Sequence, residues 1–490
     1  MSTYQAGVVG FFISVFVFYL IAIQLGGKPA NLKQFFHDRN VSLNVFSLAA
    51  GNLALAQGIV FVLMGTRQFG FLYLLVPGVV FLAQFVVYPK LITWVNEDLY
   101  LRGTVLAGIS DAMDIVAGKP VRFQMFTTIY IVLTFLFGLC YEIFVSSNWL
   151  AAAMFPDQTV AGKGVIAFVI LALTLSYVIT GGYRTVQRTD CIQVIFGTTL
   201  IIGILVILLS NGPAAPQSKS SPLLPTGVSL WVAFLTMLIA PFATQIYSIL
   251  NHALASHQQN VKERKRLFKV AGLVIFFIYI ALAIVALYYN HTQGDALDEL
   301  NAWLSSSTKS YAFQNVFLVM FATIGMGAII MSTVDTMMIT VAQVSFEGFV
   351  KGNSKSEETK DRQLRNIRTV IPGVFVPVFA ILAWWWYVKP DSFNLLFAVA
   401  SPCQAIAPMI VCLLWLSKRG KVSAILRPVI GNIRYVDLYY MLFFLTLVGA
   451  FVALATNWKW SLSVGFFAFL ISSFVSFIIF IQQKSLTTIS

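Results

Sequence analysis

The sequence predicts an all-α integral membrane protein with about thirteen transmembrane helices, and three observations carry that reading. Of its 490 residues, 58% are hydrophobic and only 10% are charged, with a mean hydropathy of +0.83, whereas soluble domains use about 25% charged residues. Apolar windows of about 20 residues, the length that crosses roughly 30 Å of hydrocarbon, centre near residues 15, 54, 82, 138, 171, 198, 241, 278, 331, 378, 404, 446 and 470. Such runs are longer than the roughly ten residues of a barrel strand, and a helix satisfies its own backbone in lipid. The third observation is charge placement. With the connections taken alternately, 26 of the 32 Lys and Arg fall on one side, and only Arg67, Lys163, Lys219, Lys309, Lys389 and Lys459 on the other.

The positive-inside rule then sets the N-terminus outside and the C-terminus in the cytoplasm, in a multi-pass protein of the plasma membrane. The net charge of +13 reports this topology, because the basic residues sit in short clusters between apolar runs; no nucleic-acid partner is expected. A soluble enzyme is excluded, since 51 charged residues are too few to cover the surfaces of about three soluble domains.

In chain order, the first span (6–25) lacks a basic flank and is too long for a signal peptide, so it is expected to be a retained helix, with no targeting peptide evident. The connections at 96–124 and 351–366 are too short for separate domains, and the second is expected to be a solvated cytoplasmic loop. The segment 290–312 is expected to include a short outer helix. Trp384, Trp385, Trp386 and Tyr387 are expected at the outer interface as an aromatic belt. Cys140, Cys191, Cys403 and Cys412 lie in or beside apolar runs with no metal-type spacing, and are expected to be packing thiols. The four histidines show no paired spacing.

Two spans carry residues that a purely structural helix does not need. The second, SLAAGNLALAQGIVFVLMG (47–65), sets Gly51, Asn52 and Gln57 near mid-membrane, where carboxamides face a polar cavity or another helix. The seventh, FLTMLIAPFATQIYSILNHALAS (234–256), sets Pro241, Thr244 and Gln245 there, and Pro241 is expected to free carbonyls in mid-span. Taken singly, each of these residues is equally explained by an interhelical hydrogen bond or a kink. The two interrupted segments are five spans apart, an odd number, so their units run in opposite orientations, as in inverted-repeat transporters with discontinuous helices at the binding site.

The ninth span (321–349) adds Ser332, Thr333, Asp335 and Thr336. Ile329 lies three and four residues before Ser332 and Thr333, so their hydroxyls and its carbonyl gather near one point, unless the hydroxyls only bond back to their own helix. Such oxygens suit a hard cation such as Na⁺ better than a transition metal. Asp190 is placed to cap the sixth span or to attract a departing cation. Glu142, midway along the fourth span, is either a coupling or substrate group or a protonated core residue, and Asp335 joins it as a candidate coupling residue.

These segments resemble the sodium:solute symporter family. QFFHDRNVSLNVFSLAAGNLALAQGIVFVLMG (34–65) resembles the family's entry and first core helix, TGGYRTVQRTDCIQ (180–193) its TGGLxAVxxTDxxQ signature, and MSTVDTMMITVAQ (331–343) its MSTADSxLLxxSS segment. The resemblance implies a LeuT-like fold. One polytopic domain (1–490) would comprise an extra N-terminal helix (6–25), two inverted five-helix repeats (42–209 and 228–417) and two extra C-terminal helices (435–482). It implies a sodium site from carbonyls of Ala50, Leu53 and Ile329 and hydroxyls of Ser332 and Thr333, with Asp190 on the ion's exit route. It also implies substrate contacts from Asn52, Gln57, Phe242 and Gln245. The chain departs from the family at NHALAS (251–256) and at Phe242, where a gate Tyr is frequent, so substrate identity is the part left open.

The function expected is Na⁺-coupled symport of a small polar organic solute (an amino acid, carboxylate, sugar or vitamin) into the cytoplasm by alternating access. No cofactor is expected beyond the coupling ion. The alternatives are a proton-coupled transporter of the same fold using Glu142, and a transporter-like membrane sensor. An enzyme is not expected, because no nucleophile–base pair or metal constellation lies among the spans.

Overall fold

A computed structural model of the protein describes residues 3–27, 41–91, 121–210, 229–247, 261–292, 295–298, 313–345, 372–419, 427–456 and 461–488, with a few single positions between them. The expectations for residues 96–120, for 251–256, for the loop at 351–366 and for most of 28–40 lie outside the described residues. The elements are α1 (Thr3–Gly26), α2 (Val41–Asn52), a π-helical segment (Leu55–Val60) leading into α3 (Phe61–Phe69), a 3₁₀ turn (Gly70–Leu74), α4 (Leu75–Leu82), a second π segment (Ala83–Val87) and α5 (Tyr88–Leu91). Then follow α6 (Val121–Met154), α7 (Val160–Gly181), α8 (Tyr183–Ser210), α9 (Leu230–Tyr247), α10 (Val261–Thr292), α11 (Phe313–Ser345), α12 (Phe375–Val388), α13 (Ser392–Lys418), α14 (Tyr435–Thr456) and α15 (Ser461–Thr488). Besides helices, turns and short connections, the described residues form one small hairpin, β1 (Pro428–Ile430) and β2 (Ile433–Arg434), which turns at Gly431 with φ of +58°.

Among the described residues, ten helical stretches are long and apolar enough to cross a membrane, and α9 and α12 are shorter apolar helices. One of the ten, Leu55–Leu91, is divided at Gly70, whose φ of +55° ends α3 and reverses the chain. The protein is a multi-pass membrane protein.

Three helices form the interior. The apolar windows of α13, α6 and α11 are 89%, 78% and 72% buried, against 28% for α15. The outer helices turn large apolar side chains outward, including Phe444 on α14 and Phe474 on α15, as lipid rather than water requires. Since lipid tails are as apolar as Leu, helix association here rests on close backbone approach and interhelical hydrogen bonds. On α1 a Cβ at Gly10 would collide with Thr323 and Met320 of α11, and one at Gly327 of α11 would collide with Ser14 of α1. Between α7 and α8, Gly182 has φ of +62°, donates its N–H to the Val178 carbonyl at 2.9 Å and has no room for a Cβ beside Phe35. The paired glycines of TGGYRTVQRTD thus form the corner that starts α8, which carries Asp190.

Three expectations are corrected. Pro241 does not interrupt its span within the described residues: α9 continues through it to Tyr247. A membrane helix tolerates the missing donor because neighbouring groups re-satisfy the freed backbone. Trp385 and Trp386 are buried, Trp385 edge-on to Phe144 at 5.8 Å between ring centres, and only Tyr387 of that run is largely exposed. Trp385 fills the space between α12 and α6, and Trp386 lies beside Gly164 of α7. Asp190 does not cap a helix: it lies in the third turn of α8, wholly buried. The four cysteines are unpaired thiols, three of them buried and Cys191 partly so.

Candidate functional site

The second span is broken after Asn52. α2 ends there, Leu53 and Ala54 leave the helical path, and the chain resumes at Leu55 in π-helical turns. Gly51 makes the unwinding cheap. A helix restart inside the membrane exposes N–H groups with no intrahelical partner, and Ala54, at the N-cap position, supplies no side-chain bond to them. Glu142 of α6 does so instead. Its Oε1 accepts from the N–H of Leu55 at 2.7 Å and of Ala56 at 3.0 Å, and its Oε2 from that of Gln57 at 3.2 Å. Gln57 also donates from Nε2 to the Gly138 carbonyl at 3.0 Å, so the restart is docked on one turn of α6. The C-terminal end of α2 is held from the opposite side, where the Tyr279 hydroxyl of α10 donates to the Asn52 carbonyl. The close approach needs Gly58, at which a Cβ would collide with that hydroxyl.

Beside the break lies a cavity walled by Asn52, Gln57, Phe61, Tyr73, Val76, Thr134, Phe135, Pro241, Thr244, Gln245, Tyr279, Thr333, Thr336, Phe397 and Cys403, among others. Among the described residues, no Asp, Glu, Lys, Arg or His is on its walls. Three carboxamides are linked at its edge: Gln84 Nε2 donates to Asn52 Oδ1 at 3.1 Å and to Gln245 Oε1 at 2.6 Å, and Gln245 Nε2 donates to Asn52 Oδ1 at 2.8 Å. This triangle ties the second, third and seventh spans together. Of the residues expected to meet solute, Asn52, Gln57 and Gln245 are on the cavity wall. Phe242 is half-buried and packs on the core, away from that wall.

The oxygen cluster of α11 lies against the same break. Thr333 lines the cavity and its hydroxyl donates to the Ile329 carbonyl at 3.1 Å. Ser332 turns instead to Asp190, donating to Oδ1 at 2.6 Å, while Ser47 of α2 donates to Oδ2 at 2.5 Å. One carboxylate therefore joins α8, α2 and α11. Ala50 lies one turn beyond Ser47 on the same helix face. The Ala50 carbonyl accepts the Leu53 N–H at 3.0 Å as α2 ends. Asp335, also wholly buried, accepts from the Tyr177 hydroxyl at 2.7 Å and from Thr189 at 3.4 Å. It sits on the α7–α8 side of α11, behind Ser332.

Ser47, Gln84, Tyr177 and Tyr279 were not singled out from the sequence. Gln84 carried a signal, a carboxamide inside an apolar span; a single Ser or Tyr among 43 Phe and 18 Tyr carried none.

Neither a protein-family model nor a curated protein sequence matches the chain. Its structure is similar to a solved one, that of a Na⁺-coupled sialic acid symporter in a substrate-bound, outward-open state, with a TM-score of 0.60, 11% sequence identity and coverage of 97% of this chain and 96% of that one. Over nearly its whole length, this membrane protein has the fold of that transporter.

Proposed function

We propose that the protein is a secondary active transporter that couples Na⁺ entry to the import of a small polar organic solute by alternating access. Its core would be two inverted five-helix repeats within thirteen crossings, with the N-terminus outside. The observation that carries this reading is the juxtaposition of a broken membrane helix, a cavity walled by Asn52, Gln57 and Gln245, and the oxygens of Ile329, Ser332 and Thr333. The likeness of fold to a Na⁺-coupled symporter supports it.

In this reading Na⁺ binds where the end of α2 meets α11, with carbonyls from Ala50, Leu53 and Ile329 and hydroxyls from Ser332 and Thr333. Its charge draws the two helices together and orders the break, so that ion and solute each favour the same arrangement of the bundle. Asp190 accepts from Ser332 on the α8 side and offers its carboxyl oxygens to the departing cation. Proton coupling through Glu142 is the weaker reading, because both of its oxygens are already engaged by backbone N–H groups and hold the restarting helix in place.

The test is thermal stability of the purified protein in Na⁺ against choline, then with a panel of solutes. Stabilisation by Na⁺ that disappears in Ser332→Ala and Thr333→Ala supports the reading. Indifference to Na⁺ at every pH overturns it.

A further inference from the structure

A broken membrane helix presents its restarting N-terminus as a site for anions, since free N–H groups and the helix dipole both favour negative charge. Transporters with discontinuous helices aim such termini at the carboxylate of the substrate. In this protein that position is already filled from within. The Glu142 carboxylate takes the N–H groups of Leu55, Ala56 and Gln57, at 2.7, 3.0 and 3.2 Å, and is wholly buried.

We infer that Glu142 sets the charge class of the solute: the cavity takes an uncharged molecule bearing hydroxyl or amide groups and rejects carboxylates. The inference rests on the transporter reading. A carboxylate in the cavity would find the restart amides already occupied by another carboxyl group, at a depth where its own charge would be poorly solvated. Among the described residues, no Lys, Arg or His is on the cavity walls to compensate it. What the cavity does offer is balanced. The amides of Asn52 and Gln245 bond to each other, to Gln84 and to the Leu48 carbonyl, bonds that a neutral solute with both donors and acceptors can exchange for its own, and the Thr244 hydroxyl, which donates to the Ala240 carbonyl at 2.8 Å, is also on the wall. Phe61, Phe135 and Phe397 supply apolar faces on which the ring or chain of such a solute can lie. Glu142 is a positioning residue in this scheme, acting on the solute through the backbone that it holds.

The experiment compares wild type, Glu142→Gln and Glu142→Ala by thermal unfolding in Na⁺ buffer at constant ionic strength. The probes are formate and acetate against formamide and acetamide, then myo-inositol, glucose and urea against glucuronate and proline. In wild type, neutral probes of the second set raise the unfolding temperature and no carboxylate does. Glu142→Ala is destabilised and is selectively restabilised by formate, which refills the amides, whereas formamide at the same concentration restores less. Glu142→Gln keeps one acceptor, folds more stably than Glu142→Ala and shows no formate response. Stabilisation of wild type by glucuronate or proline, silence to every neutral probe, or equal effects of formate and formamide on Glu142→Ala would overturn the inference. Failure of the transporter reading is separately visible as indifference of wild type to Na⁺.

Discussion

The hydroxyl of Tyr279 on α10 donates to the backbone carbonyl of Asn52, the residue at which the second span loses its helix. That carbonyl belongs to the last turn of α2, where intrahelical donors have run out, and its partner comes from another helix. With Glu142 holding the restart, the break is clamped at both of its ends. The clamp makes it a defined structural element.

Tyr279→Phe removes the donor and leaves a half-buried carbonyl unsatisfied, a loss of about 1–3 kcal/mol. Gly58→Ala displaces the same hydroxyl sterically, since its new Cβ would overlap it. Both variants are expected to unfold at lower temperature than wild type and to respond less to Na⁺, and combining them should cost little more than either alone, because they break one contact. Additive losses in the double variant would show that Gly58 acts elsewhere.

Asp190→Asn keeps one oxygen acceptor and exchanges the other for an amide donor, so either Ser47 or Ser332 must turn from donor to acceptor, and the carboxylate is lost. The expected result is Na⁺-dependent stabilisation that requires about tenfold more Na⁺, corresponding to about 1.4 kcal/mol, with the fold retained. An unchanged Na⁺ titration would separate Asp190 from the ion site.

Much of this was legible in the sequence, and the limits are physical. Span positions follow from long apolar runs that lipid imposes, and the break in the second span follows from Gly51, Asn52 and Gln57 where hydrocarbon tolerates little polarity. The Thr333–Ile329 pairing is a matter of helical spacing. What sequence could not supply are bonds between residues distant in the chain: Ser47 with Asp190 across 143 positions, or Tyr279 with Asn52 across 227. Pro241 misled because proline's local effect on a helix was read without the neighbours that accommodate it. Glu142 stood out as a buried acid, but its partners are backbone N–H groups, which every residue except proline has, so no pattern of side chains announces them.

Asn52→Ala and Gln245→Ala each remove the carboxamide through which the triangle with Gln84 is joined. Neither side chain supplies an oxygen to the proposed ion cluster. Solute-dependent stabilisation should therefore fall by about tenfold or more in apparent affinity, as for loss of a polar contact that leaves its partner unpaired, while the response to Na⁺ alone persists. Equal loss of both responses would mean that the triangle holds the ion site together and does not discriminate solute.

Arg67, near the end of α3, pairs through Nε with Asp295 at 3.0 Å and through Nη1 with Asp298 at 3.2 Å. Asp295 also accepts the N–H groups of Leu297 and Asp298, so the turn that follows α10 is ordered around the arginine. On the orientation proposed above, this clasp joins the second span to the segment after the eighth on the outer face, and we propose that opening the cavity outward separates the two. The Asp295 contact is largely shielded from solvent and Asp298 is half exposed, so the clasp is worth on the order of 1 kcal/mol. Arg67→Ala is expected to shift the population toward the outward-open arrangement severalfold. Cys403, a thiol on the cavity wall, provides the readout: a membrane-impermeant maleimide applied from outside should label it faster in Arg67→Ala than in wild type, with Cys403→Ser as the control. Arg67→Lys, which keeps a charge but not the forked geometry, should fall between them. Equal labelling rates in all three would show that the clasp orders the turn without governing access.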